Sequence, residues 1–325
     1  MKEFVFSSML SRDQLKYKSF IRNLRRFSTA YAVQSANPVE SRLRGEFLET
    51  YYALMRYMDD IADRDMHPAD CSPADYIRQK ISFMKSGQEP EDICDKIIMQ
   101  CRELASGFGE DFEQETEEIL GSLLFDAERY GTMSAFPEKE LLGNFYSMDT
   151  GGTIKAALKV FGEDPSKYHE LKDLGRSARI HYTLRDLPDD LDKGFLNITK
   201  EDISGHGICA DDLEKAVSES RMFIRCNTIL NKEKDSPAGL SKFLLAATRN
   251  SRKEKLREAY LKSLPEAITN WYIKQTAEGF SCLGRHRQNM KNRDYKPLTR
   301  LALYACFEAP ARKFYAHTLC FNLQP

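Results

Sequence analysis

The amino-acid sequence predicts an all-α protein that folds as a single domain. Apolar side chains recur every three or four residues through most of the chain, which is the period of an amphipathic helix. Proline and glycine interrupt these stretches, and the alternating pattern of β-strands is not evident. The chain has 325 residues, of which 42% are hydrophobic, so it is long enough to bury a large core.

The best-defined helical pattern covers residues 40–63, where Leu43, Phe47 and Leu54 mark one apolar face. Further helices are predicted, in chain order, at residues 75–84, 92–105, 112–130, 138–161, 168–187, 211–230, 239–248, 253–261, 265–283 and 298–319. No low-complexity linker divides this series, which favours one domain over residues 1–325.

Charge and cysteine usage narrow the functional class. The 48 basic and 49 acidic residues give a net charge of −1, so the composition gives no reason to expect a nucleic-acid partner. The eight cysteines occur singly, without zinc-site spacing, which is typical of a protein in a reducing cytoplasm. No stretch approaches the roughly eighteen consecutive apolar residues of a membrane span, so we expect no transmembrane segment.

A pair of aspartates closes the first long predicted helix. Asp59 and Asp63 are four residues apart and therefore project from one helical face. Like charges so placed repel, and Mg²⁺, which binds one or two carboxylates together with substrate phosphates, would neutralise them. Arg56 precedes Asp59 by three residues and offers a planar donor fork to phosphate oxygens; the alternative is an intrahelical ion pair on a solvated surface. Tyr52, one turn before Arg56, is expected on the metal-facing side.

The same spacing returns later in the chain at Asp186 and Asp190, directly after Arg185. Two such pairs facing each other indicate magnesium ions held on a diphosphate. Pro188 lies between the aspartates and cannot donate a backbone hydrogen bond, so the helix is expected to bend or end there. The alternative is a surface loop that begins at Pro188 and leaves the second pair unrelated to the first.

A third segment carries two adjacent glycines, Gly151 and Gly152, inside a helical pattern. Glycine costs about 1 kcal/mol relative to alanine in a helix, so a positional reason is expected. Either a long apolar ligand or a neighbouring helix approaches the backbone closely at this point.

Together these segments resemble the squalene and phytoene synthase family over residues 20–199. The arginine and DDxxD of that family's first motif are matched by Arg56, Asp59, Asp60 and Asp63. Its RDxxxDxxxG motif is matched by Arg185, Asp186, Asp190 and Gly194. Its central residues are matched by Asp126, Tyr130, Thr132 and Gly151-Gly152-Thr153. Ser28 and Tyr31 stand where the family has a serine and an aromatic residue that help to hold diphosphate.

The resemblance implies a single isoprenoid-synthase bundle of helices around a central cavity. It implies ionisation of allylic isoprenyl diphosphates, such as farnesyl or geranylgeranyl diphosphate, with several Mg²⁺ ions. The metal ligands and catalytic carboxylates would be Asp59, Asp63, Asp186 and Asp190, and Tyr52 is a further catalytic candidate. Release of an apolar product would bring the protein into peripheral contact with a membrane.

The chain departs from the family where a glutamine and an asparagine usually precede the second aspartate pair. Arg179 and Tyr182 occupy those positions. Arg179 either binds the diphosphate directly or weakens cation binding beside Asp186. After Gly194 the family's usual Arg-x-Tyr-x-Pro sequence is also absent, and the last third of the chain carries no motif that aligns.

An ionised substrate requires a pocket that excludes water. Candidate lining residues are Tyr51, Tyr146, Tyr182, Gly151 and Gly152. For aromatic residues on a helical stripe, packing in the core is the alternative role.

Three functions therefore remain open from the sequence. The first is head-to-head condensation of two isoprenyl diphosphates. The second uses one diphosphate, with cyclisation or transfer to a non-isoprenoid acceptor. The third is a non-catalytic helical protein that binds a partner or a lipid diphosphate, against which the presence of all four aspartates argues. The sequence contains no nucleotide-binding fingerprint that would support the use of NADPH. The oligomeric state stays unassigned.

Overall fold

The computed structural model describes residues 37–68, 70–86, 88–232 and 240–322. Every regular element within these residues is helical, which confirms the predicted all-α class. The isoprenoid-synthase arrangement stays a prediction. Within the described residues, none of the helices combines the length and apolar character needed to cross a membrane.

The first half of the chain forms α1 Pro38–Ala62, α2 Pro73–Ser86, α3 Ile93–Ser106, α4 Glu113–Arg129, α5 Glu138–Tyr146, a π-helical segment Ser147–Ile154 and α6 Lys155–Val160. A 3₁₀ segment Pro165–Leu171 then leads to α7 Lys172–Lys193, α8 Lys200–His206, α9 Ala210–Lys232 and α10 Leu240–Ser263. The chain continues through α11 Glu266–Lys291, α12 Pro297–Leu303, a second π-helical segment Tyr304–Glu308 and α13 Ala309–Asn322.

Several features differ from the predicted helices, and the one predicted at 298–319 is divided by the second π-helical segment. The helix predicted at 138–161 is divided by the first π-helical segment, and those predicted at 239–248 and 253–261 are one continuous helix, α10. The short helix α8 was not predicted; it begins where the Thr199 hydroxyl accepts a hydrogen bond from the Asp202 amide. Helix α7 continues through Pro188, so it does not end there and no surface loop begins at that residue; the bend that was the other expectation stays a prediction.

The described residues group into two compact units. The first contains those of Met1–Glu128, Asn144–Arg176 and Arg285–Pro310, and the second contains those of Arg129–Gly143, Ser177–Gly284 and Ala311–Pro325. The single-domain assignment stays a prediction.

In the first unit, α1 packs on α2 and α3. Asn37 caps α1 by accepting hydrogen bonds from two backbone amides, and Pro38 occupies its first turn. The buried face of α1 includes Phe47, Leu54 and Met58, whose spacings of seven and four residues are those of an amphipathic helix. This face fixes the rotation of α1 about its axis, and the acidic residues at its C-terminal end are half-buried beside it.

In the second unit, α7 buries Leu184, Leu187 and Leu191 along one face. The helix is tied to its neighbours by Ser177, whose hydroxyl donates to the Gly279 carbonyl at 3.0 Å and whose carbonyl accepts from the Tyr315 hydroxyl at 2.5 Å. These contacts join α7 to α11 and α13 and fix the side of α7 that faces the core.

Candidate functional site

The first acidic motif lies at the C-terminal end of α1. The helix ends at Ala62, and the Asp63 amide still donates to the Asp59 carbonyl at 2.9 Å, so the two aspartates remain one helical turn apart as predicted. The chain then leaves the helix through Arg64, which has a left-handed φ of 58°.

Arg56 joins two of these aspartates. Its guanidinium donates one hydrogen bond to the Asp59 carboxylate and another to the Asp60 carboxylate, one turn further along the helix. The intrahelical ion pair weighed from the sequence is therefore present. It is partly enclosed rather than fully solvated, since the Asp59 side chain keeps 31% of its surface exposed.

Negative charge is concentrated at this helix end. The C-terminus of a helix carries a partial negative charge, and α1 has no basic residue in its last turn. The pKa of Asp59 is raised to about 7: burial is the largest cause, Arg56 lowers the value, and the charges of Asp63, Asp60 and Asp126 raise it. The folded chain thus holds mutually repelling carboxylates together at this end of α1.

The second acidic motif lies within α7 rather than at a helix end. Asp186 and Asp190 are half-buried and, because α7 continues to Lys193, they share a helical face as the spacing predicted. Arg185 binds its neighbour Asp186 with two hydrogen bonds of 2.7 and 2.5 Å. The guanidinium of Arg185 also lies 4.9 Å from the centre of the Tyr182 ring.

Asp190 is held by a short polar network. The Asn197 side-chain amide donates to the Asp190 carboxylate at 2.9 Å, and its oxygen accepts from the buried Arg129 guanidinium at 2.7 Å. Arg129 is itself seated over the Phe195 ring at 5.0 Å. Asn197 and Phe195 are two of the positions at which the chain departs from the family, and here they support the second motif.

Gly194 directly follows α7, and a steric constraint requires glycine at this position. Its φ is +79°, and it faces Gly131, whose φ is +76°. A Cβ atom at residue 194 would lie 2.5 Å from the Gly131 Cα atom, so a side chain has no room. The Met133 amide donates to the Gly194 carbonyl at 3.0 Å and fastens the two loops together.

His181 lies one turn before Arg185 and is buried between the Tyr182 and Phe314 rings. The pKa of His181 is lowered to about 4: burial is the largest cause, the charges of Arg185 and Arg257 also lower it, and Asp186 opposes them. Among the described residues its Nδ1 atom has no hydrogen-bond partner. His181 is thus a neutral packed residue at pH 7.

The adjacent glycines have different surroundings within the π-helical segment. A Cβ at Gly152 would lie 2.4 Å from the Ile119 Cγ1 atom of α4, so close helix packing requires glycine there. A Cβ at Gly151 would meet only ordinary contact with Glu118 at 3.7 Å. Packing thus accounts for Gly152, the alternative left open by the sequence, and the pocket role of Gly151 stays a prediction.

The remaining candidate residues are placed as follows. Tyr51 is in the aromatic core of the first unit, stacked on Phe47 at 5.1 Å and hydrogen-bonded to Thr116, so it has the core role weighed from the sequence. Tyr52 is half-buried on α1. Tyr146 is partly exposed and bonds His169 at 3.1 Å. Arg179 is half-buried on α7. Ser28 and Tyr31 lie outside the described residues.

The two motifs suit a hard divalent cation by their chemistry. Carboxylate oxygens are the donors that Mg²⁺ prefers, and each motif offers two of them one turn apart. Across residues 37–68, 70–86, 88–232 and 240–322, no three His, Cys, Asp or Glu side chains converge as a metal centre. Mg²⁺ commonly takes only one or two protein carboxylates and completes its shell with water and substrate oxygens.

Sequence reasoning missed the support around the second motif. Arg129, Asn197 and Arg257 act through contacts between residues far apart in the chain, for which local spacing carries no signal. The π-helical segment around Gly151 was also missed, although adjacent glycines in a helical pattern were a local sign of irregularity.

No protein-family model matches the chain, and a search of the curated proteins finds no significant match. The resemblance to the squalene and phytoene synthases therefore rests on the residues of the motifs, and family membership stays a proposal.

Proposed function

We propose that the chain is a magnesium-dependent prenyltransferase that ionises allylic isoprenyl diphosphates and condenses two of them head to head. The observation that carries this proposal is the concentration of aspartates at the negative end of α1, where the pKa of Asp59 rises to about 7. A second aspartate pair with the same spacing, and with its own arginine, supports it.

The arrangement at α1 has a cost that a cation would remove. The carboxylates of Asp59, Asp60 and Asp63 repel one another and the negative end of the helix dipole, and Arg56 offsets part of this repulsion. A protein selected for stability alone would place basic residues in this last helical turn. Repulsion kept at a polar cluster is typical of a functional site.

Each charged group has a role in the proposed reaction. Asp59 and Asp63, and likewise Asp186 and Asp190, would hold Mg²⁺ through their carboxylates. Bound Mg²⁺ supplies Lewis acidity for loss of the diphosphate.

Two arginines are already close to these carboxylates. The Arg56 fork, which now binds Asp59 and Asp60, would turn to phosphate oxygens when a cation takes its place. Arg185 would act in the same way beside Asp186. Tyr52 and the aromatic residues nearby would exclude water from the allylic cation.

One observation favours a second candidate, in which a single diphosphate is cyclised or transferred to another acceptor. The positions that the family fills with neutral amides carry Arg179 and Tyr182, and the Tyr182 ring packs against the Arg185 guanidinium. This side of α7 is more positive and more crowded than the family pattern, which would favour one substrate over two.

The test is diphosphate release from geranyl, farnesyl and geranylgeranyl diphosphate with MgCl₂, followed by mass spectrometry of the products. We expect release that depends on Mg²⁺, and a hydrocarbon with twice the carbon number of the prenyl chain. A product with the carbon number of one chain would select the second candidate. The absence of release with all three substrates would reject both.

A further inference from the structure

Proline inside α7 removes support from the helix that carries the second aspartate pair. In a regular helix the amide of residue 188 would donate to the carbonyl of Leu184, but Pro188 has no amide proton and its ring crowds that carbonyl. A backbone carbonyl without a donor costs about 1–3 kcal/mol when it is withdrawn from water. Helices usually kink or end at such a point, yet α7 continues to Lys193.

Arg257 of α10 supplies the missing donors. One of its terminal nitrogens donates to the Leu184 carbonyl at 2.8 Å, and the other donates to the carbonyl of Arg185 at 3.1 Å. The acceptors are the carbonyl that Pro188 leaves without its usual partner and the next carbonyl along the helix. A planar guanidinium suits two adjacent acceptors, and a charged donor forms a stronger bond than a neutral one.

The guanidinium is fixed by the residues around it. It also donates to the Tyr272 hydroxyl at 3.3 Å and lies 5.5 Å from the centre of the Phe314 ring. These contacts come from α11 and α13. Together with α10, which carries Arg257, three helices therefore determine where the donors point. Arg257 thus contacts the backbone of α7.

We propose that Arg257 is a positioning residue that replaces the helical hydrogen bond lost at Pro188 and so keeps Asp186 and Asp190 one turn apart. The consequence for catalysis rests on the proposed function, but the effect on α7 does not. The inference makes Arg257 and Pro188 a coupled pair: the arginine is needed because the proline is there.

The coupling can be measured by hydrogen exchange of the backbone amides of residues 189–193 in the full chain. Arg257→Met keeps most of the side-chain length but removes the donors, and we expect about tenfold faster exchange than in the wild type. Pro188→Ala restores the amide donor. In that background Arg257→Met should change exchange by less than about threefold. Lys255→Met is the matched control, because it removes a charge from an exposed position of α10 and should leave exchange unchanged.

An equal acceleration in both backgrounds would overturn the inference, since Arg257 would then act by packing on Tyr272 and Phe314 alone. Unchanged exchange in Arg257→Met would overturn it as well. If Arg257→Met does not fold, a folded double variant with Pro188→Ala supports the inference and an unfolded one overturns it. Mn²⁺ titration of the wild type distinguishes the proposed function from the positioning role of Arg257. Absence of Mn²⁺ binding would count against the proposed function and would leave the exchange result unaffected.

Discussion

The two acidic motifs share a spacing but differ in how the fold treats their charge. The α1 motif stands at the negative end of a helix, and its arginine lies within the same helix. The α7 motif lies inside a helix, where Arg257 holds the backbone and Asn197 holds Asp190. The first motif is local and electrostatically strained, whereas the second depends on residues that are distant in the chain. Equal spacing therefore does not imply equal sensitivity to mutation, pH or cations.

The largest expected effect would show that both motifs act in one reaction. Asp59→Asn and Asp186→Asn should each lower diphosphate release by at least about 100-fold, because each removes a carboxylate ligand of Mg²⁺. Release assays and far-ultraviolet circular dichroism measure activity and helicity together.

Asp294→Asn and Asp211→Asn are suitable controls, since both residues are exposed and lie outside the motifs. Near-normal release in either motif variant would remove that motif from the proposed mechanism.

The second expected effect concerns the support of the α7 motif. Arg129→Met leaves the Asn197 side chain and the Leu196 carbonyl without their charged donor, so the free energy of unfolding in urea should fall by about 2–3 kcal/mol. Arg78→Met breaks ion pairs in which both partners are exposed and should cost less than about 0.5 kcal/mol. Similar losses of unfolding free energy in the two variants would mean that the Arg129 network stabilises the fold no more than an exposed ion pair does.

The third prediction is that His181, which lies beside the α7 motif, makes the free energy of unfolding sensitive to acid. The pKa of His181 falls from 6.5 to about 4 on folding, so the unfolded chain binds the proton more readily below pH 6.5. Above that pH this group does not affect the free energy of unfolding, and as the pH falls below it the free energy of unfolding decreases. Between pH 7.5 and pH 5 the wild type should lose about 2 kcal/mol through this group.

His181→Phe should remove that part of the pH dependence, as measured by urea unfolding at the two pH values. The exposed His67, changed to asparagine, serves as the comparison. An unchanged slope in His181→Phe would show that another group is responsible.

The smallest expected effect has the opposite sign and belongs to the α1 motif. The pKa of Asp59 rises from 3.8 to about 7 on folding, so the folded chain binds this proton more tightly and stability falls as the pH rises from 5 to 8. Asp59→Asn should then be more stable than the wild type at pH 8 without divalent cations, by only about 1 kcal/mol because the carboxylate is partly exposed. Thermal unfolding in EDTA at pH 5 and pH 8 tests this, and a variant that parallels the wild type at both would contradict it.

The helices and the positions of the motifs could be predicted from sequence because their signals are local. The buried face of α1 follows from the spacing of Phe47, Leu54 and Met58, and the pairing of Asp59 with Asp63 follows from that helix. The course of α7 could not be predicted in the same way. Pro188 is a local signal for a helix end, and it is overridden by Arg257, which is 69 residues away in the chain.

The contact between Gly131 and Gly194 sets a limit on how this chain can vary. The main chain of Gly131 excludes a side chain at residue 194, so no substitution at residue 131 can make room there. A Cβ at Gly131 would meet no obstacle, and its φ of +76° is what favours glycine at that position. In a library randomised at both sites, folded members should carry glycine at residue 194 whatever residue stands at 131, so pairwise covariation between the two sites should be absent. The position that ends the helix bearing Asp190 therefore accepts glycine alone, whereas the solvent-facing turns around it can accept other residues.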